Sequence, residues 1–217
     1  MRFRDRAEAG RLLAQRLLYL KGADPVVFAL PRGGVPVGLP VAEALGAPLD
    51  LLLVREIGAP GRPGPAPGAV VAGEPPQTVV DDDAARALGA PPEAVTREAA
   101  RRLDEVERRR RLWLRGRAPV PPYGRTAVLV DDGVATGATA RAALLALDRA
   151  GAARRVLAVP VAPRGVAEAL GALCDEAVFL AMPDDFGSVG SSYDDFRRLE
   201  DAEVTALLER AAGRQAG

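Results

Sequence analysis

Apolar positions along this chain alternate between short solid runs and longer periodic stretches. Residues 5–20 place Ala9, Leu12, Leu13, Leu17 and Leu20 on one face at helical spacing. Asp5 followed by Glu8 fits a capping box, and Gly22 ends the stretch. PVVFAL at 25–30 predicts a short apolar strand, followed by a helix to about residue 45, and LDLLLV at 49–54 predicts another buried strand. Residues 58–73 are dense in Gly and Pro and predict a long loop, of a length that is either functional or disordered. A short helix over 81–89 and a long one over 91–116 follow, the second opened by Pro91-Pro92-Glu93 and closed by Gly116. Then come a strand at 127–130 (AVLV), an Ala- and Leu-rich helix, a strand at 155–161, a helix at 165–173 and a strand at 176–182. Short apolar strands alternating with helices predict an α/β fold: a doubly wound parallel sheet of about five strands in a single domain over 1–217. Ligands of such a sheet sit outside the carboxyl ends of its strands.

Composition narrows the chemistry. Lys and Arg total 29, as do Asp and Glu, so the formal net charge of zero implies no general affinity for nucleic acid. No apolar run reaches membrane-spanning length and the N-terminus has no signal-peptide core, which predicts a cytoplasmic protein with no membrane partner. Cys174 is the single cysteine, so an internal disulfide is impossible. There is no histidine, which removes His-based triads and the usual zinc sites. Lys21 is the sole lysine, so any phosphate chemistry must rest on arginine, backbone amides and metal.

The chemistry concentrates at strand ends. The strand at 127–130 runs into Asp131 and Asp132, then the small-residue loop Gly133-Val134-Ala135-Thr136-Gly137-Ala138-Thr139, then a helix. A loop with so little side-chain bulk can wrap a phosphate with its N–H groups, the Thr136 and Thr139 hydroxyls and the positive helix end. The two carboxylates can take vicinal hydroxyls or help hold hydrated magnesium. A second candidate, Pro31-Arg32-Gly33-Gly34, leaves the strand at 25–30, with two glycines for close backbone approach and a forked donor on Arg32. Arg55 ends the strand at 49–54, and Arg62 is the one charged side chain in the 58–73 loop. In the long helix, Arg108 to Arg111 are interleaved with Glu98, Asp104, Glu105 and Glu107, which favours an ion-paired, solvated face over RNA binding.

The strand, acidic pair and small-residue run ending Thr136-Gly137-Ala138-Thr139 resembles the phosphoribosyl pyrophosphate (PRPP) signature of type I phosphoribosyltransferases. Gly133 stands where the family usually carries an aliphatic residue, which loosens the loop and removes no ligand. Arg32-Gly33-Gly34 looks like the pyrophosphate loop of the purine-salvage members, to which, with uncharacterised bacterial members, the motifs are closest. The resemblance implies transfer of the 5-phosphoribosyl group from PRPP to a nitrogenous base, with magnesium as cofactor, release of pyrophosphate and a role in nucleotide salvage. It implies that Asp131, Asp132 and Arg32 are catalytic, and that Ala135, Thr136, Gly137, Ala138 and Thr139 hold the 5-phosphate. Arg32, Gly33, Gly34 and Arg55 would bind pyrophosphate, with a non-proline cis peptide at Pro31–Arg32. It also implies an insertion over 56–124 carrying a mobile lid that brings in Arg62, a C-terminal hood and helix over 183–217, and a homodimer.

The tail adds to the likeness. Pro183-Asp184-Asp185-Phe186 and Tyr193-Asp194-Asp195-Phe196-Arg197 resemble the purine-salvage ending, which makes Phe186 the base-stacking residue and adds Asp194 or Asp195 to Asp131 and Asp132 as metal ligands. Ala135 and Val161-Ala162-Pro163-Arg164 replace the acid and lysine of 6-oxopurine enzymes, so hypoxanthine or guanine specificity is not carried over. The alternative is a PRPP-binding regulator that acts on RNA through the arginine-rich helix.

Overall fold

The computed structural model describes residues 1–58, 68–72, 76–80, 86, 89 and 91–213. Five strands form a parallel sheet: β1 (Pro25–Ala29), β2 (Leu49–Leu51), β6 (Thr126–Val130), β7 (Arg154–Val161) and β8 (Glu176–Ala181), in the order β2-β1-β6-β7-β8. A separate antiparallel sheet holds β3 (Val54–Ile57), β4 (Gly68–Val71) and β5 (Gln77–Val80). The helices are α1 (Arg6–Leu17), α2 (Gly34–Leu45), α3 (Pro92–Leu114), α4 (Ala138–Arg149), α5 (Arg164–Gly171) and α6 (Asp201–Gly213).

Every residue of β1 and β6 is buried, because helices cover both faces of the sheet. Side chains alternate across a strand, so Val27, Ala29, Val128 and Val130 pack with Leu13, Leu17, Val41, Trp113 and Leu208 of α1, α2, α3 and α6. Val26, Phe28, Ala127 and Leu129 face the other way, onto Leu144 and Leu147 of α4 and Leu170 of α5. That is the predicted doubly wound arrangement. Among the described residues no helix is long and apolar enough to cross a membrane.

Two expectations need correction. The apolar run at 49–54 is two strands in two sheets. The Leu52 amide makes a last bond to the Ala29 carbonyl at 3.1 Å, and the Leu53 carbonyl takes the first bond of the other sheet from the Ala72 amide at 2.9 Å. Both sheets bury this run, so hydrophobicity alone could not show the crossover. The predicted loop at 58–73 contains β4, whose Val70 and Val71 are buried against β3. Residues 59–67, Arg62 among them, lie outside the described residues, as does most of the helix expected at 81–89.

α1 lies very close to α2. A Cβ on Gly10 would stand 2.4 Å from the Val37 carbonyl oxygen. Ala is the better helix former by roughly 1 kcal/mol, yet here the contact is backbone and cannot rotate away. Gly10→Ala is therefore expected to lower stability by about 1–3 kcal/mol. Thermal unfolding checks this, with a fall of about 2–4 °C per kcal/mol in a chain of this size.

Candidate active site

β1, β2 and β6 end level with one another, Ala29 standing beside both Leu51 and Val130. The segments that follow β1 and β6 therefore leave one edge side by side, and they touch. The Leu30 amide bonds the Val130 carbonyl at 2.9 Å. A Cβ on Gly33 would fall 1.9 Å from Asp132 Oδ2, and one on Gly34 would fall 2.6 Å from the Val130 carbonyl oxygen. These two glycines are the condition for the loops to meet. The Pro31–Arg32 peptide is cis, as the resemblance implied.

Asp131 and Asp132 sit at the mouth of β6. Asp131 Oδ1 accepts the Asp132 amide at 2.8 Å, while Asp132 Oδ2 accepts Arg6 Nε at 2.7 Å. Burial and the neighbouring Asp132 carboxylate hold Asp131 well above the ordinary carboxylate range. Asp132 is also raised by burial, with Arg6 opposing the rise. Arg6 comes from the first turn of α1 and lies 3.9 Å from the Phe196 ring centre, a cation–π contact. Tyr193 donates its hydroxyl to the Asp132 carbonyl at 2.6 Å and stacks on Phe196, while the Phe3 ring meets it tilted at 44° with ring centres 5.4 Å apart. The C-terminal segment thus leans on the N-terminal one: Phe3 pairs with Tyr193, and the Asp195 amide bonds the Arg4 carbonyl at 2.9 Å. Nothing in the sequence around Arg6 or Tyr193 marked them as supports of the acidic pair.

The small-residue loop is pinned by the Val134 amide to the Val161 carbonyl at 2.9 Å. Ala135, Thr136 and Ala138 are exposed and Thr139 partly so. Gly137 takes φ +83°, a left-handed conformation that glycine adopts without strain, and caps α4. The loop therefore presents an open helix start to any anion placed there. Gly133 has a tighter reason than the looseness expected of it: a Cβ there would stand 2.3 Å from Val189 Cγ1 and 3.0 Å from Val161 Cγ1. Val189, in the segment after β8, fills that space.

A cleft of about 530 Å³ brings Pro31, Arg55, Glu56, Asp131 and Thr139 together, with Arg102, Val106, Arg109 and Trp113 of α3 as its far wall. Arg32 does not line it. Its guanidinium bonds the Leu199 carbonyl at 2.7 Å and Asp201 Oδ1 at 3.1 Å, and Asp201 also takes Trp113 Nε1 at 3.0 Å. Phe186 is partly exposed in the segment after β8. Asp194 pairs with Arg2 at 2.5 Å, and Asp195 Oδ1 accepts the Arg197 amide at 3.1 Å. Among the described residues no group of three or more His, Cys, Asp or Glu is placed to hold a metal by itself. Two carboxylates, one of them tied to Arg6, fit a magnesium ion that arrives largely on substrate phosphates.

This parallel sheet, with an acidic pair and a small-residue loop at its central strand end, is a doubly wound α/β architecture. Residues 5–175 match the family model of the phosphoribosyl transferase domain, and the chain belongs to that family. It is 46% identical over 209 residues to two proteins of Mycobacterium tuberculosis, strains H37Rv and CDC 1551 / Oshkosh, provisionally named phosphoribosyl transferases. Those matches cover 96% of this chain and 47% of theirs, so the chain spans about half the length of these relatives. The crystal structure of TT1426 from Thermus thermophilus is similar throughout, with TM-score 0.85, 46% identity, and coverage of 97% of this chain and 99% of that one.

Proposed function

We propose that this chain transfers the 5-phosphoribosyl group of magnesium-bound PRPP to a nitrogenous base. The observation that carries the reading is the contact between loops: Gly33 lies under Asp132, and Pro31, Arg55, Asp131 and Thr139 border one cleft. In this reading residues 1–217 act as one domain, with 56–124 as the insertion and 183–217 as the hood. Ala135–Thr139 hold the 5-phosphate through backbone N–H groups, hydroxyls and the start of α4. Asp131 and Asp132 hold the ribose hydroxyls, and Gly33 and Gly34 let the backbone approach pyrophosphate.

Magnesium, when bound, offsets the charge that grows on the leaving group. A ring nitrogen of the base gives its electron pair to C1, the C1–O pair leaves with pyrophosphate, and the displaced N–H proton is released. The protein's part is positioning and fixed electrostatics. Phe186 is the candidate to stack on the base, and Asp194 or Asp195 to complete the metal's ligands once substrate is bound. The protein is expected in the cytoplasm, in nucleotide salvage, as a homodimer. Incubation with magnesium-PRPP and a panel of bases, following pyrophosphate release, tests the reading. Release with one base is the expected result; PRPP binding without release from any base points to the regulator instead.

A further inference from the structure

Helix α3 shows the ion pairs that its interleaved acids predict, but one face of it does something more. Arg102, Val106, Arg109 and Trp113 recur at helical spacing and form a wall of the cleft, across from Asp131 and Thr139. Arg55 joins them from β3. The three guanidiniums gather on a single carboxylate: Glu105 lies 3.7 Å from Arg55, 3.4 Å from Arg102 and 3.1 Å from Arg109. Arg102 has a second acid, Glu98, at 2.7 Å, which is shared with Arg101 at 3.0 Å. Four arginines therefore share two acids, and about a third of each cleft-lining arginine side chain is left to solvent or ligand. Burial, then repulsion from Arg109, holds Arg55 below its ordinary value, as expected of crowded like charges. Meanwhile Arg32, expected to meet pyrophosphate, is engaged by Leu199 and Asp201.

We propose that Arg102 and Arg109 of the inserted helix, together with Arg55, receive the pyrophosphate end of PRPP, in place of the Arg32 side chain. The inference rests on the phosphoribosyltransfer reading above. A departing diphosphate gains charge as the C1–O bond breaks, and planar guanidinium forks meet its oxygens two at a time. Glu98 and Glu105 already hold these side chains toward the cleft, so little reorganisation is needed when the anion arrives.

The test titrates inorganic pyrophosphate and, separately, ribose 5-phosphate into the wild type, Arg102→Gln/Arg109→Gln and Arg102→Lys/Arg109→Lys by calorimetry. The Gln pair is expected to weaken pyrophosphate binding by at least about tenfold, the loss of one charge-assisted contact or more. Ribose 5-phosphate affinity should not change, and the Lys pair should fall between wild type and the Gln pair. Unchanged pyrophosphate affinity in the Gln pair overturns the assignment, and so does an equal loss for both ligands, which would mean general damage. A raised KM for the acceptor base with pyrophosphate binding intact also overturns it and gives the wall to the acceptor. If the wild type binds neither ligand, the function reading itself fails and takes this one with it; if it binds both and the variants match it, only the arginine assignment fails.

Discussion

Replacing Asp131 and Asp132 together by Asn is expected to cut PRPP turnover by at least on the order of 10²–10³, a loss typical of removing preorganised polar groups from a reacting centre. Asn keeps the shape of each side chain but cannot offer two negative oxygens to vicinal hydroxyls or to magnesium. Steady-state pyrophosphate release measures this, and turnover within a few-fold of wild type would refute these roles. The single change Asp131→Asn carries an opposite expectation for stability. Burial and Asp132 raise the Asp131 pKa above its unfolded value. The folded state then binds more protons than the unfolded one between those two values, so stability falls as pH rises through that window and stays low above it. Asn removes this penalty. Asp131→Asn should therefore melt higher than wild type at neutral pH, with the gain shrinking as pH falls toward about 4, the ordinary carboxylate value. A lower melting temperature at neutral pH would contradict the strained carboxylate pair.

Gly33→Ala is the second large effect. The added Cβ would stand 1.9 Å from Asp132 Oδ2, far inside contact distance, so the carboxylate must move. That carboxylate holds Arg6 Nε at 2.7 Å, with both side chains largely buried. Displacing it leaves a guanidinium without its acid in a poorly hydrated place, a change worth about 3–5 kcal/mol when one partner of a buried pair is removed outright. Because Asp132 can shift rather than vanish, the expected cost is the lower part of that range, about 3 kcal/mol. Denaturant unfolding should show the loss, and PRPP affinity should fall with it, since the moved carboxylate is a proposed sugar ligand. A variant of wild-type stability and affinity would show that the two loops are not in contact.

The core of the fold was legible because it is written in local pattern. The runs at 25–30, 127–130 and 155–161 are strands buried on both faces, and solid apolarity is their direct consequence. The acidic pair and the small-residue loop were legible for a related reason, since both lie in one contiguous segment directly after β6. What was missed depends on contacts between distant segments. Leu52 and Leu53 sit between two sheets that both bury them, so the run at 49–54 gave no sign of its division. Arg6 looks like any charged residue in a packing helix, and only the meeting of α1 with the end of β6 and with the C-terminal segment gives it Asp132 and Phe196. Arg102 and Arg109 fit an ion-paired surface, which they are, while the same helix face also closes the cleft. The Arg32 backbone loop lies where its motif suggested, but the direction of its side chain was set by α6, far along the chain.

The central claim is that separate turns at one sheet edge hold one ligand, and amide NMR of the labelled protein reads it most directly. On addition of magnesium-PRPP the backbone signals of Gly33 and Gly34 and those of Ala135 to Thr139 should shift together, with one saturation curve. Ribose 5-phosphate should move the second set and leave the first nearly still. Shifts confined to one loop, or clustered away from both, would contradict the account.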